Sequence, residues 1–233
     1  METSRPVLAP PSARTAERVS AFLSKVYGWM FIGLGITAAV AYMVAGSPAL
    51  TGIVLGNRLV FLVLVLAELG LVFFLSARVH TLEPGTAAGL FTGYAALNGV
   101  TLSMILLLYT GTSIATTFVV TGAMFGALAL YGTTTQRSLA GAGQFFFMGL
   151  VGLVLASVVG LFWHSDALQF LITVVGVIVF TGLTAWDAQR LKQMALEVPD
   201  GRAGSYAVVG ALSLYLNFVN LFLMLLRLQG RRD

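Results

Sequence analysis

Residues 207–228 read AVVGALSLYLNFVNLFLMLLRL and contain one charged side chain, Arg227. A helix of about 20 apolar residues is long enough to cross the roughly 30 Å hydrocarbon core of a bilayer. Comparable apolar runs recur along the whole chain, whose 233 residues are 58% hydrophobic and only 9% charged, with a mean hydropathy of +0.92. Because an ordinary soluble domain carries roughly 25% charged residues, this sequence predicts a polytopic membrane protein.

The apolar runs predict a single transmembrane bundle of seven spans. We place the spans near residues 26–44, 59–75, 87–109, 114–131, 145–163, 168–186 and 207–228. The breaks between them are short and hold Gly, Pro, Ser and Thr, so neighbouring spans should form antiparallel hairpins. Strands of a membrane β-barrel alternate apolar and polar residues, and these runs do not. We therefore expect an all-α bundle between a polar basic tail, 1–25, and a short basic tail, 229–233.

The placement of lysine and arginine predicts the orientation. Most basic residues lie in the first tail and after spans two, four and six: Arg5, Arg14, Arg18, Lys25, Arg78, Arg137, Arg190, Lys192 and Arg202. The other side holds Arg58, Arg227, Arg231 and Arg232. Cytoplasmic loops carry the excess of Lys and Arg, so we expect a cytoplasmic N-terminus. The last run then either spans the membrane with its basic end outside or is re-entrant and returns that end to the cytoplasm.

Composition excludes several kinds of chemistry. The chain has no cysteine, which rules out disulfides and thiolate-bound metals. The two histidines, His80 and His164, lie outside the predicted spans, so no nucleophile within a span has a histidine base beside it. We expect neither an enzyme nor a bound cofactor. The net charge of +4 reflects membrane topology, and no nucleic-acid partner is expected.

Two carboxylates occur within or at the end of predicted spans. Ionisable groups inside a membrane cost about 2.5–3.5 kcal/mol each and are functional candidates by default. Glu68 lies midway along the second span. It is either a neutral carboxyl bonded to a neighbouring helix or a contact on an ion or proton path. Asp187 closes the sixth span and either pairs with Arg190 or Lys192 one turn away or has a functional role.

The last span carries a polar stripe. Ser213, Asn217 and Asn220 stand at i, i+4 and i+7, on one face of an otherwise apolar helix. Such a helix should be central in the bundle. The stripe serves either hydrogen bonding between helices or the lining of a path. A weaker version occurs in the third span, at Asn98, Thr101 and Ser103.

The 26 glycines are expected to serve close helix packing, because small residues let helix backbones approach in lipid. The candidates are Gly28, Gly33 and Gly35 in the first span, and the G-x-x-x-G pair Gly122 and Gly126 in the fourth.

Several motifs resemble the Bax inhibitor-1 family, bacterial members in particular. They are FTGLTAWDAQR at 180–190, ALSLYLNFVNLF at 211–222 and on to Arg227, KVYGWM at 25–30 and ELGLVFFLS at 68–76. The resemblance runs from about Lys25 to the end of the chain. It implies a seven-helix bundle with the last helix at its centre and a pH-sensitive calcium leak across the membrane.

The resemblance also implies roles for particular residues. In the family pattern two aspartates, one ending the sixth helix and one in the seventh, share a proton and gate the path, and an arginine ending the second helix latches the first aspartate. Asp187 matches the first aspartate, and Arg78 stands where the latch is expected. Asn217 occupies the place of the second aspartate. An amide cannot titrate, although it can donate a hydrogen bond to an ionised Asp187, so pH gating is either lost or shifted.

Two functions follow from the resemblance. The first is a calcium leak channel or exchanger with Asp187 as the gate. Its candidate path residues are Glu68, Asn220 and Ser213, and Asp187 and Glu68 offer oxygen ligands to a passing calcium ion. The second is a non-transporting regulator that binds and restrains a membrane-anchored protease or another membrane partner, with the basic first tail as docking arm. The lack of a long Pro-rich tail favours a bacterial plasma (inner) membrane.

Overall fold

The computed structural model describes residues 13–163 and 165–231, so Arg5, His164 and Arg232 lie outside the described residues. Within them, seven helices are long and apolar enough to cross a membrane. The helices are α1 (Ala13–Ala45), the short α2 (Pro48–Leu55), α3 (Arg58–Arg78), α4 (Pro84–Leu108), α5 (Gly111–Thr134), α6 (Ala140–Phe162), α7 (Asp166–Glu197) and α8 (Ala203–Gln229), with a 3-10 turn at Asp200–Arg202. The prediction of an all-α polytopic bundle is confirmed.

Local capping chemistry sets several of the helix starts. The first backbone N–H groups of a helix lack partners within it, and short polar side chains supply acceptors. Asn57 Oδ1 accepts from Leu59 N at 3.0 Å at the start of α3. Ser165 Oγ accepts from Leu168 N at 3.4 Å at the start of α7. These caps follow directly from the polar breaks between the apolar runs.

Helix α8 is the centre of the bundle. It packs against α1, α4, α5 and α7. In its most apolar stretch 56% of the residues are buried, compared with 39% in α7 and 6% in α3. Leu214, Tyr215 and Leu221 are fully enclosed. The expected central position of the last helix is confirmed.

Hydrogen bonds near the helix termini define two ends of the bundle. At the N-terminal end, the Arg18 guanidinium of α1 donates to the Val198 carbonyl oxygen just after α7. At the C-terminal end, Thr110 N, between α4 and α5, donates to the Arg231 carbonyl oxygen at 3.1 Å. Helix α8 therefore runs unbroken from one end to the other. This unbroken helix agrees with the spanning alternative for the last run.

Helices α1 and α7 are longer than the apolar runs that predicted them. Helix α1 begins at Ala13, inside the predicted tail, because Phe22 is buried against the core and Val19 packs beside it. Helix α7 continues to Glu197 because Leu191 and Ala195, one turn apart, are only 3% and 2% exposed. In both helices an apolar stripe continues past the point where the opposite face becomes polar.

Most of the glycines predicted to allow close helix packing do not lie at close helix contacts, and other glycines do. A Cβ atom would meet nothing within 4 Å at four of the five candidates: Gly28, Gly35, Gly122 and Gly126. At Gly33 a Cβ would overlap the Phe91 ring, as expected of a packing glycine. A much tighter approach occurs at Gly132 of α5, where a Cβ would overlap the Ala185 carbonyl oxygen of α7. Spacing alone does not tell which face of a helix meets its neighbour.

We expect the substitution Gly132→Ala to lower the thermal unfolding midpoint in detergent, because the added methyl would push α5 from α7. Overpacking of this kind costs about 1–3 kcal/mol. The matched control is Gly126→Ala on the same helix, where the methyl enters open space and alanine favours the helix. Equal loss of stability in both variants would contradict the described α5–α7 approach.

Candidate functional site

The Asp187 side chain is enclosed between α7 and the central helix. It is 9% exposed, and Asn217 Nδ2 of α8 donates to its Oδ2 at 2.7 Å. Asn217 is itself 5% exposed and lies about halfway along α8. The sequence placed Asp187 at the end of a span. The structure places it within a longer helix, because α7 continues to Glu197.

Neither nearby cation forms a salt bridge with Asp187, although the Arg190 charge is close enough to attract the carboxylate. The Arg190 guanidinium lies over the Trp186 ring, 5.7 Å from Cζ to the ring centroid. Lys192 Nζ donates to the Thr133 carbonyl oxygen of α5 at 2.7 Å. The expected pairing with Arg190 or Lys192 is therefore not observed. Asp187 turns inward to α8, whereas Arg190 is exposed.

Arg78 is not brought to Asp187 either. It is exposed at the end of α3, and its guanidinium lies over the Phe74 ring at 6.0 Å. Helix α3 packs mainly against α4, so the latch suggested by the resemblance has no contact with the carboxylate in this structure.

The polar stripe of α8 divides between different partners. Asn217 bonds to Asp187, but Asn220 Nδ2 donates back to the Leu216 carbonyl oxygen of its own helix at 2.8 Å. Ser213 is only half-buried. Of the three stripe residues, Asn217 is the one that joins α8 to the carboxylate.

Glu68 faces polar side chains of α4. Thr101 Oγ1 donates to Glu68 Oε1 at 2.9 Å, and Asn98 Nδ2 donates to Oε2 at 3.4 Å. The carboxyl group is half-buried. The structure thus has the hydrogen bonds to a neighbouring helix that one interpretation of Glu68 predicted, and they come from two residues of the weaker third-span pattern.

Tyrosine and threonine hydroxyls extend these contacts into the core. Tyr215 OH of α8 donates to Asn98 Oδ1 at 3.2 Å and shares a hydrogen bond of 2.6 Å with Thr37 Oγ1 of α1. Asn98 Nδ2 also reaches Tyr94 OH at 3.3 Å. We call this set the Glu68 network; it comprises Thr37, Glu68, Tyr94, Asn98, Thr101 and Tyr215. Sequence analysis missed its tyrosines, although a tyrosine in the middle of a span needs a partner for its hydroxyl.

Two separate polar sites therefore attach to the middle of α8. Tyr215 and Asn217 are two residues apart, so they point to nearly opposite sides of the helix. Tyr215 joins the Glu68 network on the side of α1 and α4, and Asn217 holds Asp187 on the side of α7. Within the described part of the chain, no three His, Asp or Glu side chains converge in one metal-binding group. Each carboxylate belongs to its own site.

This architecture, with carboxylates inside a seven-helix bundle, defines a multi-pass α-helical membrane protein. Residues 19–233 match the family described as Inhibitor of apoptosis-promoting Bax1. The inner membrane protein YbhL of Escherichia coli K12 is 50% identical over 215 residues, covering 91% of this chain and 92% of YbhL. The chain belongs to the Bax inhibitor-1 family, as its motifs predicted.

More distant relatives extend over the same length. An uncharacterized protein of Deinococcus radiodurans is 40% identical over 234 residues, covering 100% of both chains. An uncharacterized membrane protein of Streptococcus pyogenes is 36% identical over 215 residues, covering 91% of this chain and 93% of that protein. The similarity therefore includes the whole bundle.

The substitution Tyr215→Phe should destabilise the bundle, because it removes the hydroxyl that donates to Asn98 and contacts Thr37. A buried acceptor left without its donor costs about 1–3 kcal/mol. Thermal unfolding in detergent measures the loss. The matched control is Tyr42→Phe on α1, whose side chain is 77% exposed, and an equal effect of both substitutions would argue against the network.

Proposed function

We propose that the protein is a calcium leak channel of the bacterial inner membrane, gated where Asp187 meets Asn217. The observation that supports this most directly is the buried hydrogen bond from Asn217 Nδ2 to Asp187 Oδ2 at the middle of the central helix. Removing a carboxylate from water costs several kcal/mol, and two apolar side chains could fill the same space without that cost. We infer that the carboxylate is retained for ion passage rather than for stability.

The pair has the right chemistry for a passing calcium ion. Calcium prefers oxygen ligands from carboxylates and amide carbonyls. In the described bundle the amide of Asn217 presents its nitrogen to the carboxylate. Rotation of that amide would present Oδ1 instead, so both side chains would offer oxygen to a cation. The hydrogen bond then holds the closed arrangement, and the arriving ion replaces it.

Protons should compete with calcium at this site. A protonated carboxyl does not attract a cation, so the leak should decrease as the pH falls. Because Asn217 does not titrate, the site depends on Asp187 alone. This differs from a pair of aspartates, in which two carboxyl groups share a proton and titrate as a coupled unit.

Glu68 is the proposed second contact on the path. It is half-buried and its oxygens already accept from Asn98 and Thr101. The Glu68 network reaches α8 through Tyr215. The two carboxylates thus flank one helix, whose displacement would change both sites.

The ends of the bundle support a cytoplasmic N-terminus. Eight described basic residues belong to the N-terminal end, either in α1 before the apolar run or around the turns at that end: Arg14, Arg18, Lys25, Arg78, Arg137, Arg190, Lys192 and Arg202. The C-terminal end has Arg58, Arg227 and Arg231. The positive-inside rule then assigns the N-terminal end to the cytoplasm, which leaves the end of α8 outside. The similarity to the inner membrane protein YbhL of Escherichia coli supports an inner membrane location.

Calcium flux into proteoliposomes tests the proposal. We expect Asp187→Asn to reduce the leak about tenfold, because the passing calcium ion loses the attraction of a carboxylate, and a tenfold change corresponds to roughly 1.4 kcal/mol. Glu68→Gln should reduce it as well. Asn217→Asp should move the pH midpoint of the leak towards neutral, since it creates a coupled pair of carboxyl groups.

The matched control is Asp166→Asn at the exposed start of the same helix, which should leave the flux unchanged. A wild type that passes no calcium between pH 5 and 8, or an Asp187→Asn variant that leaks like the wild type, would overturn the channel proposal.

The regulator of a membrane-anchored protease is the competing function. Arg14 and Lys25 are exposed near the start of α1 and suit a docking role, although Arg18 is already bonded to Val198. Combining deletion of residues 1–12 with Arg14→Gln and Lys25→Gln removes these docking charges and keeps α1, which begins at Ala13. If the protein is a channel, this combined variant leaves calcium flux unchanged. A wild type that captures a membrane protease, and a combined variant that does not, would instead favour the regulator.

A further inference from the structure

A long cleft separates α1 from α5 on the side of the bundle. Its floor is the central helix, and Phe118 and Phe218 line both of its lobes, which measure about 370 and about 310 Å³. Along α1 the cleft extends from Leu23 to Tyr42, a distance of roughly 28 Å at 1.5 Å per residue. This α1–α5 cleft therefore spans almost the whole thickness of a bilayer's hydrocarbon core.

The walls of the cleft are apolar over this length. Among the described residues that line the cleft, four carry a polar atom in the side chain: Tyr27, Thr37, Tyr42 and Thr133. The Thr37 hydroxyl is already engaged with Tyr215 and with the Ala95 carbonyl oxygen. The cleft lies between two membrane-crossing helices, so its occupant must be apolar along its length.

The size of the cleft selects a hydrocarbon chain over a partner helix. A helix with side chains is about 10 Å wide and, over the same length, would need on the order of 2,000 Å³. The two lobes are separate spaces of about 370 and about 310 Å³, and the Phe118 and Phe218 rings, 5.3 Å apart between their centroids, line both of them. A thin, flexible acyl chain can follow both lobes past these rings, whereas a rigid helix cannot.

Charge at one mouth indicates the kind of lipid. Thr133 lines the cleft at the N-terminal end of the bundle, and its carbonyl oxygen accepts from Lys192 Nζ at 2.7 Å. The half-buried Lys192 therefore lies beside the end of the cleft at which the headgroup of a bound lipid would lie. A nearby lysine favours an anionic headgroup by about 1 kcal/mol.

We propose that the α1–α5 cleft binds one anionic phospholipid, with an acyl chain along Phe218 and the headgroup phosphate at Lys192. Phe218 is adjacent in sequence to Asn217, so the bound chain touches the part of α8 that holds Asp187. The binding site itself does not depend on the protein being a channel.

Lipid retention tests the site. The full-length protein is reconstituted in nanodiscs of phosphatidylcholine and phosphatidylglycerol, extracted, and examined by native mass spectrometry for bound lipid. We expect one retained phosphatidylglycerol. Gly126→Leu fills the cleft from a position where a Cβ meets nothing within 4 Å. It should lower lipid retention by at least about tenfold. That loss corresponds to about two methylene groups of the acyl chain that can no longer be buried in the cleft.

The control for Gly126→Leu is Gly70→Leu on α3, which is also open and does not line the cleft. Gly122→Val provides a second cleft-filling variant if Gly126→Leu does not fold. For the headgroup, Lys192→Gln should reduce the preference for phosphatidylglycerol over phosphatidylcholine about fivefold, and Arg137→Gln, an exposed cation at the same end, should not.

Three results would overturn the proposal. The first is retention that is equal in wild type and in both cleft-filling variants. The second is an unchanged lipid preference in Lys192→Gln, which would mean that the cleft binds the acyl chain without selecting for an anionic headgroup. The third is a wild-type dimer that the cleft-filling variants dissociate, which would make a second copy the occupant.

Discussion

The hydrogen bond between Asn217 and Asp187 joins the two most buried helices of the bundle. Helices α7 and α8 meet over much of their length, and this contact lies about halfway along α8. A carboxylate in such a place needs a donor, because burial without one is costly. Asn217 supplies that donor without adding a second charge. The arrangement of the site therefore follows from the need of one buried carboxylate for a hydrogen-bond donor.

The Glu68 network gives α8 a second polar attachment on its other side. Tyr215 links α8 to Thr37 of α1 and to Asn98 of α4, and Asn98 continues to Glu68 of α3. In lipid there is little hydrophobic drive for helices to associate, and packing and hydrogen bonds determine their positions. Helix α8 is thus fixed by polar contacts to α1, α4 and α7. A change of protonation or ligation at either carboxylate would act on the same helix.

Much of the fold followed from the sequence, because hydrophobic length and the requirement to satisfy the backbone leave few options in a membrane. The central position of α8 followed from a helix apolar all round except for one amide face. The direction of individual side chains did not follow. Asn220 lies on the same face as Asn217 yet bonds to its own helix, and Arg78 stacks on Phe74 instead of approaching Asp187. Gly122 and Gly126 have the packing spacing but line an open cleft, because periodicity does not identify the neighbour that a face meets.

The most direct test of the central claim exchanges the two side chains of the pair. The double variant Asp187→Asn/Asn217→Asp keeps one carboxylate and one amide facing each other between α7 and α8, with their helices exchanged. Its calcium flux into proteoliposomes is compared with that of the wild type and of Asp187→Asn alone. If the pair itself is the gate, the double variant recovers most of the leak that the single variant loses. A double variant as inactive as Asp187→Asn alone would contradict the account.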